Sequence, residues 1–249
     1  MAAAPRTHRL STPVSPEALK ELAIGDIVYL DGVIYTGREG LYRRVVDEGM
    51  APPVDLRALS NVNFHCSPAA SVREDGSLNL GAVTATASFR FSRFMERFFE
   101  ISGAKVIVGK GGMSEADYRD LFVPNGAVYL TTVGYGTGAL LGRGVTRVQA
   151  AHWLEDLGIA QAVWVLEVSR FGPLLVESDL LGNSLFEREN RATADAVERA
   201  YAGLKPPSLS RYGETVSRGD EVLYPAVAAV GLRTNRRRGT QTNAVAAKK

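Results

Sequence analysis

The chain has 249 residues, of which 45% are hydrophobic and 22% charged, and this composition is typical of a globular protein with a sizeable core. Its net charge of +2 is too small to predict a nucleic-acid partner, and no apolar run reaches the roughly 18 residues of a membrane-spanning helix. The single cysteine, Cys66, excludes an internal disulfide and cannot supply the three or four thiolates that hold an iron–sulfur cluster, so we expect a cytoplasmic protein.

The chain divides into three predicted parts. Residues 1–14 are interpreted as a loose or extended arm, and residues 15–204 as one domain. Residues 205–249 are polar and carry a basic run, which predicts a disordered tail. Within the domain, short apolar strands interleave with helical patterns. This alternation predicts an α/β fold with a mainly parallel or mixed sheet as its core.

The domain is predicted to open with a short helix and two strands. Ser15 is a good N-cap and is followed by proline, the residue that the first helical position favours. Residues 27–30 and 33–35 then form two short apolar runs, which we interpret as strands. Asp31-Gly32 between them has the composition of a hairpin turn.

Arg38 follows the second of these strands, where an amphipathic helix is predicted to begin. Polar functional groups are common at strand-to-helix junctions, so Arg38 is a candidate site residue. The competing interpretation is a surface arginine that pairs with Glu39 or Asp47.

His65 lies in a segment, residues 61–66, whose alternating pattern predicts a half-buried strand. Its neighbour Cys66 would point to the opposite face, so the two side chains cannot easily share a metal ion. We expect a packed or hydrogen-bonded histidine, and the alternative is that His65 reaches the active site.

A second candidate region follows the strand predicted at residues 78–83. Thr86 ends that strand, Ser88 can cap the next helix, and Arg90 would lie in its first turn. A hydroxyl, a helix N-terminus and an arginine would then converge, as binding of an anionic ligand requires. The alternative is a capped helix with a solvated arginine face. Its predicted core stripe consists of Phe91, Phe94, Met95 and Phe98.

Lys110 lies in a glycine loop between a strand and a helix. The apolar run at residues 106–108 predicts a strand buried on both faces, and Ser114 can cap the helix that follows. Glycines let backbone N–H groups approach a ligand closely, so Lys110 and this loop could bind a carboxylate or a phosphate. A tight turn with a solvated lysine is equally compatible. The GxxxxGK[ST] spacing of a nucleotide-binding loop is absent.

The remaining elements follow from apolar runs and turn residues. We expect a short helix within residues 134–144 and a turn at residues 182–184. Strands are predicted at residues 127–132, 145–153, 162–168 and 173–177, and a helix at residues 192–204.

Several of these motifs occur in an order that resembles a known family, the β subunits of class I, iron–sulfur-dependent fumarases and L-(+)-tartrate dehydratases. The resemblance covers roughly residues 10–190. Its motifs are GDIVYLDGVIYTGREG from Gly25, HCSP from His65, TASFR from Thr86, GKGGM from Gly109, HWLEDLG from His152, VWVLEVSRFGPLLVESD from Val163 and GNSL from Gly182.

The resemblance implies a swivelling β/β/α domain in a hydro-lyase that dehydrates a 2-hydroxy dicarboxylic acid of the tartrate or malate type. It also implies a heteromer with an α subunit, whose three cysteines hold a [4Fe-4S] cluster. This chain would supply the carboxylate clamps and a catalytic hydroxyl, and its single cysteine agrees with that division.

The family's motifs assign roles to individual residues. The first threonine of T-T-x-x-R, proposed to act in proton transfer, falls on Thr86, and the arginine falls on Arg90. The arginine of Y-T-x-R-[DE] falls on Arg38, and the lysine of G-K-G falls on Lys110. The implied catalytic pair is Thr86 and Lys110. The implied substrate-binding residues are Arg38, Thr86, Arg90, Gly109, Lys110 and Gly111.

The chain departs from the family pattern near the expected pocket. Ala87 replaces the second threonine, Tyr42 replaces a histidine, and residues 84–85 are Thr-Ala instead of Gly-Pro. The family's usual His-Ala-Gly-Pro reads His-Cys-Ser-Pro at residues 65–68. His65 and Ala87 are further candidate site residues. Two alternatives stay open: a hydro-lyase for a different hydroxy acid, and a non-catalytic or regulatory homologue that binds a carboxylate.

Overall fold

The structure is a computed structural model that describes residues 4–134 and 137–203, so the predicted tail lies outside the described residues. Its strands are β1 (Thr7–Ser11), β2 (Ile27–Thr36), β3 (Val62–Phe64), β4 (Cys66–Val72), β5 (Leu78–Ala85), β6 (Val106–Gly109), β7 (Val128–Thr132), β8 (Val145–His152) and β9 (Val163–Ser178). Its α-helices are α1 (Pro16–Lys20), α2 (Glu39–Tyr42), α3 (Leu56–Leu59), α4 (Ser92–Ser102), α5 (Glu115–Asp117), α6 (Thr137–Arg143), α7 (Leu154–Leu157) and α8 (Leu185–Tyr201). A 3₁₀ turn (Ser88–Phe91) precedes α4, and π-helical turns continue α2 over Arg43–Asp47 and α5 over Tyr118–Phe122.

Two long strands, β2 and β9, organise the main sheet. They run antiparallel along each other, and pair Ile27 with Leu175 and Tyr35 with Val165. The parallel strands β3, β6 and β7 follow from the end of β2, and β7 pairs with the second half of β9. The strands β2, β3, β6, β7 and β9 therefore close into a ring, which β1 and β8 flank. The sheet is mixed, as the sequence predicts.

The remaining strands, β4 and β5, form a separate antiparallel pair. This pair begins one residue after His65 and ends one residue before Thr86. It therefore holds these two residues close together at its base.

The predicted hairpin at Asp31-Gly32 is wrong, because β2 is a single strand. Gly32 has a φ angle of 111° and lies at an irregularity in the pairing with β9. A side chain there would meet Thr12 Oγ1 at 2.5 Å. The Asp31 carboxylate accepts hydrogen bonds from the Arg9 guanidinium at 2.5 and 2.8 Å. The residues that suit a turn thus form a bulge, where β2 changes its neighbour from β1 to β3.

Three other predicted boundaries also differ. The strands predicted at 162–168 and 173–177 are one strand, β9. The strand predicted at 61–66 is shorter, and β3 is fully buried because it lies between β2 and β6. The last helix begins at Leu185 and not at residue 192, since the Ser184 hydroxyl accepts from the N–H of Glu187 in its first turn.

The core has two layers, and β6 lies between them. Val106 and Val108 face a cluster inside the ring of strands, whereas Ile107 faces a second cluster beneath α4. The prediction of a strand buried on both faces is therefore confirmed. The predicted apolar stripe is also confirmed: Phe91, at the end of the 3₁₀ turn, and Phe94, Met95 and Phe98 of α4 all belong to the second cluster.

The residue contacts divide the chain into two units, Met1–Ala192 and Thr193–Lys249. The candidate site lies wholly in the first. Of the segment expected to be a loose or extended arm, Thr7–Ser11 is extended and pairs with β2 as β1. None of the helices in the described ranges is long and apolar enough to cross a membrane.

Candidate active site

The Lys110 loop joins β6 to α5. β6 ends at Gly109, and Gly111 and Gly112 then turn the chain with φ angles of 74° and 66°. Ser114 caps α5 through a capping box, as predicted. Because α5 has only three α-helical residues, its dipole is small and Lys110 is the main positive charge of the loop. The Lys110 side chain is exposed to solvent.

Residues Thr86 to Ser88 lie alongside this loop as a neighbouring strand would. The Lys110 N–H donates to the Thr86 carbonyl at 3.3 Å, and the Ser88 N–H donates to the Lys110 carbonyl at 3.1 Å. Ala87 and Lys110 therefore form a parallel β-bridge. On its other side, the Thr86 N–H donates to the His65 carbonyl at 2.6 Å. Main-chain hydrogen bonds thus join two motifs that lie apart in the sequence.

The prediction that Ser88 caps α4 is wrong. No side-chain hydrogen bond caps the 3₁₀ turn, and the buried Ser88 hydroxyl lies 2.7 Å from His65 Nδ1 and accepts from the Tyr129 hydroxyl at 2.6 Å. Gly109 packs against the same group. A Cβ at Gly109 would lie 1.9 Å from Ser88 Oγ, so only glycine fits there.

A cavity of about 600 Å³ opens beside Lys110. Its walls come from β5, the Lys110 loop, the end of β7 and α6, and most of its side chains are small. The lining residues are Ala82, Thr84, Ala85, Ala87, Lys110, Gly111, Thr132, Gly134, Thr137, Gly138 and Ala139. Thr86 is only 7% exposed and lies on the segment that forms one wall.

Arg38 is partly buried at the start of α2. One of its terminal nitrogens donates to the Ala160 carbonyl at 2.8 Å, whereas its buried Nε–H has no partner among the described residues. Burial lowers the pKa of the Arg38 guanidinium, and the positive charge of Arg90 lowers it further. The alternative interpretation, a surface arginine paired with Glu39 or Asp47, is not supported: Arg93 binds the Asp47 carboxylate at 2.9 and 3.2 Å, and no salt bridge joins Arg38 to Glu39 among the described residues.

Arg90 lies in the 3₁₀ turn and is exposed. Its Nε has only a long contact of 3.5 Å, to the Ala87 carbonyl. Arg38 and Arg90 both line a second, smaller cavity of about 110 Å³. The short segment from Ala85 to Phe91 thus borders both cavities, with Lys110 at one and the two arginines at the other.

His65 is fully buried and is packed and hydrogen-bonded, as expected. Its ring meets those of Phe91 and Tyr42 edge-to-face, with centroids 4.9 and 5.7 Å apart. Burial lowers the pKa of His65 to about 3, so the ring is neutral near pH 7. It lines neither cavity.

The departures from the family pattern fall in different surroundings. Tyr42 is fully buried and its hydroxyl donates to Asn63 Oδ1 at 2.6 Å, so it belongs to the core. Cys66 is also buried. Ala87 and Thr84, in contrast, line the larger cavity beside Lys110. Of these departures, the changes at Ala87 and Thr84 are the ones that can alter the shape of that cavity directly.

Sequence reasoning missed a buried carboxylate, Glu177, beneath the Lys110 loop. Its Oε1 accepts from the Ser184 hydroxyl at 2.7 Å, and burial raises its pKa. The nearby Phe186 ring and the Tyr118 hydroxyl pack against Gly112, and that hydroxyl accepts from the Met113 N–H at 2.8 Å. The GNSL motif contains Ser184, the residue that binds Glu177, but its sequence alone indicated only a turn.

The chain matches a known family over most of its length. A family model described as "Fumarase C-terminus" matches residues 3–189. The chain belongs to this family. The resemblance to the β subunits is therefore confirmed.

Named relatives agree with this assignment. The chain is 36% identical to a Methanocaldococcus jannaschii protein provisionally named L(+)-tartrate dehydratase subunit beta, over 70% of this chain and 88% of that one. It is 32% identical to the L(+)-tartrate dehydratase subunit beta of Escherichia coli, over 75% and 90%. A Geobacillus stearothermophilus protein provisionally named fumarate hydratase class I is 30% identical over 78% of this chain, but only 36% of that longer protein. These names are those of hydro-lyases.

Proposed function

We propose that this chain is the β subunit of a hydro-lyase that reversibly dehydrates a 2-hydroxy dicarboxylic acid of the tartrate or malate type. The family match and the relatives' names support this reaction class. The observation that carries the proposal is the main-chain bridge between Ala87 and Lys110, since it holds the segment that carries Thr86 against Lys110. Lys110, Ala85 and Ala87 line the cavity, and the Thr86 side chain lies between the two alanines without lining it.

The two cavities would each hold one carboxylate. Arg38 and Arg90 repel each other, and Arg38 carries a buried N–H that none of the described residues pairs with. A carboxylate between them would remove both penalties through charge-assisted hydrogen bonds. Lys110 and the adjacent backbone of Gly109 and Gly111 would bind the other carboxylate. Because the Ala85–Phe91 segment borders both cavities, the substrate would extend across it.

Dehydration removes a weakly acidic C3 proton and expels hydroxide. In this proposal the positive charge of Lys110 lowers the pKa of the Thr86 hydroxyl, which loses its proton to solvent. The resulting alkoxide accepts the C3 proton and returns to the neutral hydroxyl. Lys110 and the arginines stabilise the negative charge that grows in the transition state. Thr86 is largely shielded from solvent, which strengthens these interactions.

The chain's own residues do not fit a [4Fe-4S] cluster. Cys66 is buried and burial raises the pKa of its thiol, and the described ranges hold no group of three His, Cys, Asp or Glu side chains placed to bind a metal ion. We therefore assign the cluster to a partner α subunit, where it would supply the Lewis acid that such a dehydration needs.

We further propose that residues 15–204 form the family's swivelling β/β/α domain, preceded by the arm at 1–14 and followed by the tail at 205–249. The closed ring of strands with helices packed against it supports this architecture. A cytoplasmic location agrees with a single, buried cysteine.

One observation favours a second candidate, a hydroxy acid other than malate or tartrate. Ala87 stands where the family pattern has threonine, and it lines a cavity of about 600 Å³ with small side chains. A bulkier acid would fit there. The observations do not favour a non-catalytic homologue in the same way, because Tyr42 lies in the core and not in a cavity.

The decisive experiment is an anaerobic dehydration assay over malate, both tartrate enantiomers and citramalate. It uses the chain alone and then the chain mixed with a cluster-bearing α subunit. We expect turnover only in the mixture, and the preferred acid identifies the substrate. Turnover by the chain alone would contradict the division of labour. An assembled, cluster-loaded complex that is silent on every acid would contradict the proposed reaction.

A further inference from the structure

We infer that Tyr129 and Ser88 are positioning residues of this hydro-lyase, whose buried hydroxyls hold the Thr86 segment and the Lys110 loop in one fixed arrangement. The inference rests on the proposed function. Neither hydroxyl lines a cavity, so both would act through their neighbours and not by contact with substrate.

The two hydroxyls belong to a continuous buried chain of polar side chains. Tyr129, in β7, donates to Ser88 Oγ at 2.6 Å, and Ser88 Oγ lies 2.7 Å from His65 Nδ1. All three side chains are fully buried. Water therefore cannot replace any of these hydrogen bonds when one partner is lost.

The direction of the hydrogen bonds follows from the neutral histidine. The Tyr129 hydroxyl already supplies the hydrogen in its bond to Ser88, so the Ser88 hydroxyl can donate its own to His65 Nδ1. The single ring proton of His65 then lies on Nε2, which has no hydrogen-bond partner among the described residues, and the ring as a whole packs against the rings of Tyr42 and Phe91. An N–H is tolerated against an aromatic face, whereas a lone pair is not favoured there. The chain is therefore ordered from Tyr129 to Ser88 to His65.

This hydroxyl chain lies at the junction of the two proposed catalytic segments. At one end, the His65 carbonyl accepts from the Thr86 N–H at 2.6 Å. In its middle, Ser88 Oγ and the Tyr129 hydroxyl are the atoms nearest to a Cβ built at Gly109, at 1.9 and 2.6 Å. Gly109 directly precedes Lys110. A shift of either hydroxyl would therefore move Lys110 relative to Thr86.

Such a shift predicts a specific kinetic change. Loss of the Tyr129 hydroxyl removes no positive charge and leaves Arg38 and Arg90 in place, so the KM should change little. The relative position of Thr86 and Lys110 matters most in the transition state, where a displacement of about 1 Å costs roughly 100-fold in rate. A merely structural role would lower the thermal stability without this selective loss of kcat.

The test compares Tyr129→Phe with Tyr35→Phe in the complex assembled with the α subunit. Tyr35 is an equally buried tyrosine of the same core cluster, and its hydroxyl has no hydrogen-bond partner among the described residues. The readouts are kcat, KM and the amide hydrogen exchange of two N–H groups: that of Lys110, which donates across the bridge to the Thr86 carbonyl, and that of Thr86, which donates to the His65 carbonyl.

We expect Tyr129→Phe to lower kcat about 10- to 100-fold, with KM within about threefold, and to speed amide exchange at Thr86 and Lys110. Ser88→Ala should do the same, and the double variant should lose no more than either single one because the hydroxyls act as a unit. Tyr35→Phe should change none of these quantities.

Failure of the inference is distinct from failure of the proposed function. If the wild-type complex turns over but Tyr129→Phe keeps its kcat within about twofold, or if the two losses multiply in the double variant, the inference is overturned. If the wild-type complex turns over none of the acids, the proposed function fails and amide exchange alone decides. Unchanged exchange at Thr86 and Lys110 then overturns the inference, and faster exchange supports it.

Discussion

The two halves of the candidate site are held in different ways. The Thr86–Ser88 segment and Lys110 are joined by main-chain hydrogen bonds in both directions, and buried hydroxyls pack beneath them. Arg38 and Arg90 have no such bridge; Arg38 makes one hydrogen bond to a carbonyl, and Arg90 makes one long contact to Ala87. Their like charges also repel.

This difference indicates a division of tasks. A rigid pair of groups suits the reacting atoms, because their geometry must already match the transition state. A pair of unsatisfied cations suits substrate binding, because the ligand itself supplies the missing partner. We therefore expect changes on the Thr86–Lys110 side to affect rate and folding together, and changes on the Arg38–Arg90 side to affect mainly binding.

The largest combined loss of stability and rate is expected from Gly109→Ala. The new methyl group would lie 1.9 Å from Ser88 Oγ, so the bridge must open or the hydroxyl chain must break. We expect a loss of about 2–3 kcal/mol in the free energy of unfolding and of roughly 100-fold or more in kcat. Thermal or chemical unfolding and steady-state kinetics measure the two.

Gly81→Ala is the matched control in β5. Its added methyl group would lie 3.6 Å from the Ala69 carbonyl, which is an ordinary contact. It should leave both quantities nearly unchanged. If Gly109→Ala and Gly81→Ala changed the unfolding free energy and kcat equally, the claim that the Thr86–Lys110 half of the site is rigidly held would be contradicted.

Arg38→Met tests the other half. It removes a buried N–H without a partner and the repulsion from Arg90, but also the hydrogen bond to the Ala160 carbonyl. These contributions oppose each other, so we expect the free energy of unfolding to change by less than about 1 kcal/mol. The KM should rise about 30- to 100-fold, since a carboxylate loses a charged partner.

Arg97→Met is its control, because it removes the same charge from the exposed face of α4, where Arg97 pairs with Glu100. It should alter neither the KM nor the stability. A normal KM in Arg38→Met would remove Arg38 from the site.

The buried His65, next to the Thr86–Lys110 half of the site, should make the free energy of unfolding depend on pH. Its pKa is about 3 in the folded chain, against about 6.5 when unfolded, so full stability is present above about pH 6.5. Below that pH the His65 imidazole binds a proton in the unfolded chain but stays neutral in the folded chain. The free energy of unfolding should fall by about 2 kcal/mol by pH 5 and continue to fall toward pH 3.

Urea unfolding of wild type and His65→Gln between pH 7 and pH 5 measures this contribution. Asp26, whose pKa is lowered to about 2, loses its stabilising charge only below this interval. His65→Gln should be less stable but should show a flatter pH dependence. The same slope in both proteins would show that another group is responsible.

The smallest effect is expected below the Lys110 loop. Ser184→Ala removes a hydrogen bond of 2.7 Å to the buried Glu177 and the cap that the same hydroxyl provides to the Glu187 N–H, and the two losses together should cost about 1–2 kcal/mol of unfolding free energy. Ser178→Ala is the control, since the buried hydroxyl of Ser178 has no partner among the described residues. It should change stability by less than about 0.5 kcal/mol. Equal losses in chemical unfolding would contradict the support assigned to Ser184.

Local patterns explain which parts of the fold could be predicted. The stripe of α4, the doubly buried β6 and the capping box of α5 each depend on residues within a few positions of one another. The structure at Asp31-Gly32 could not be predicted from local sequence, because a glycine with positive φ is found both in hairpin turns and in β-bulges. Only the partner strands, β1, β3 and β9, decide between them.

The site shows the same limit. Lys110, Thr86 and Arg90 could be named from glycines, hydroxyls and charges near strand ends. Their arrangement could not, because the bridge between Ala87 and Lys110 depends on how β6 and the β4–β5 pair meet. The partner of Ser88 is 41 residues away in β7, so its local sequence favoured a helix cap.

The most direct test of the two-part site is kcat/KM of the assembled complex with Lys110→Ala and with Arg90→Ala. Both side chains are exposed in the chain alone, and we propose that each binds a carboxylate in a site that the assembled complex desolvates. Each change should then cost about 2–5 kcal/mol of transition-state stabilisation. We predict that Lys110→Ala lowers kcat strongly and that Arg90→Ala acts mainly through KM. Full activity in either variant would contradict the role assigned to that residue and, with it, the two-part site.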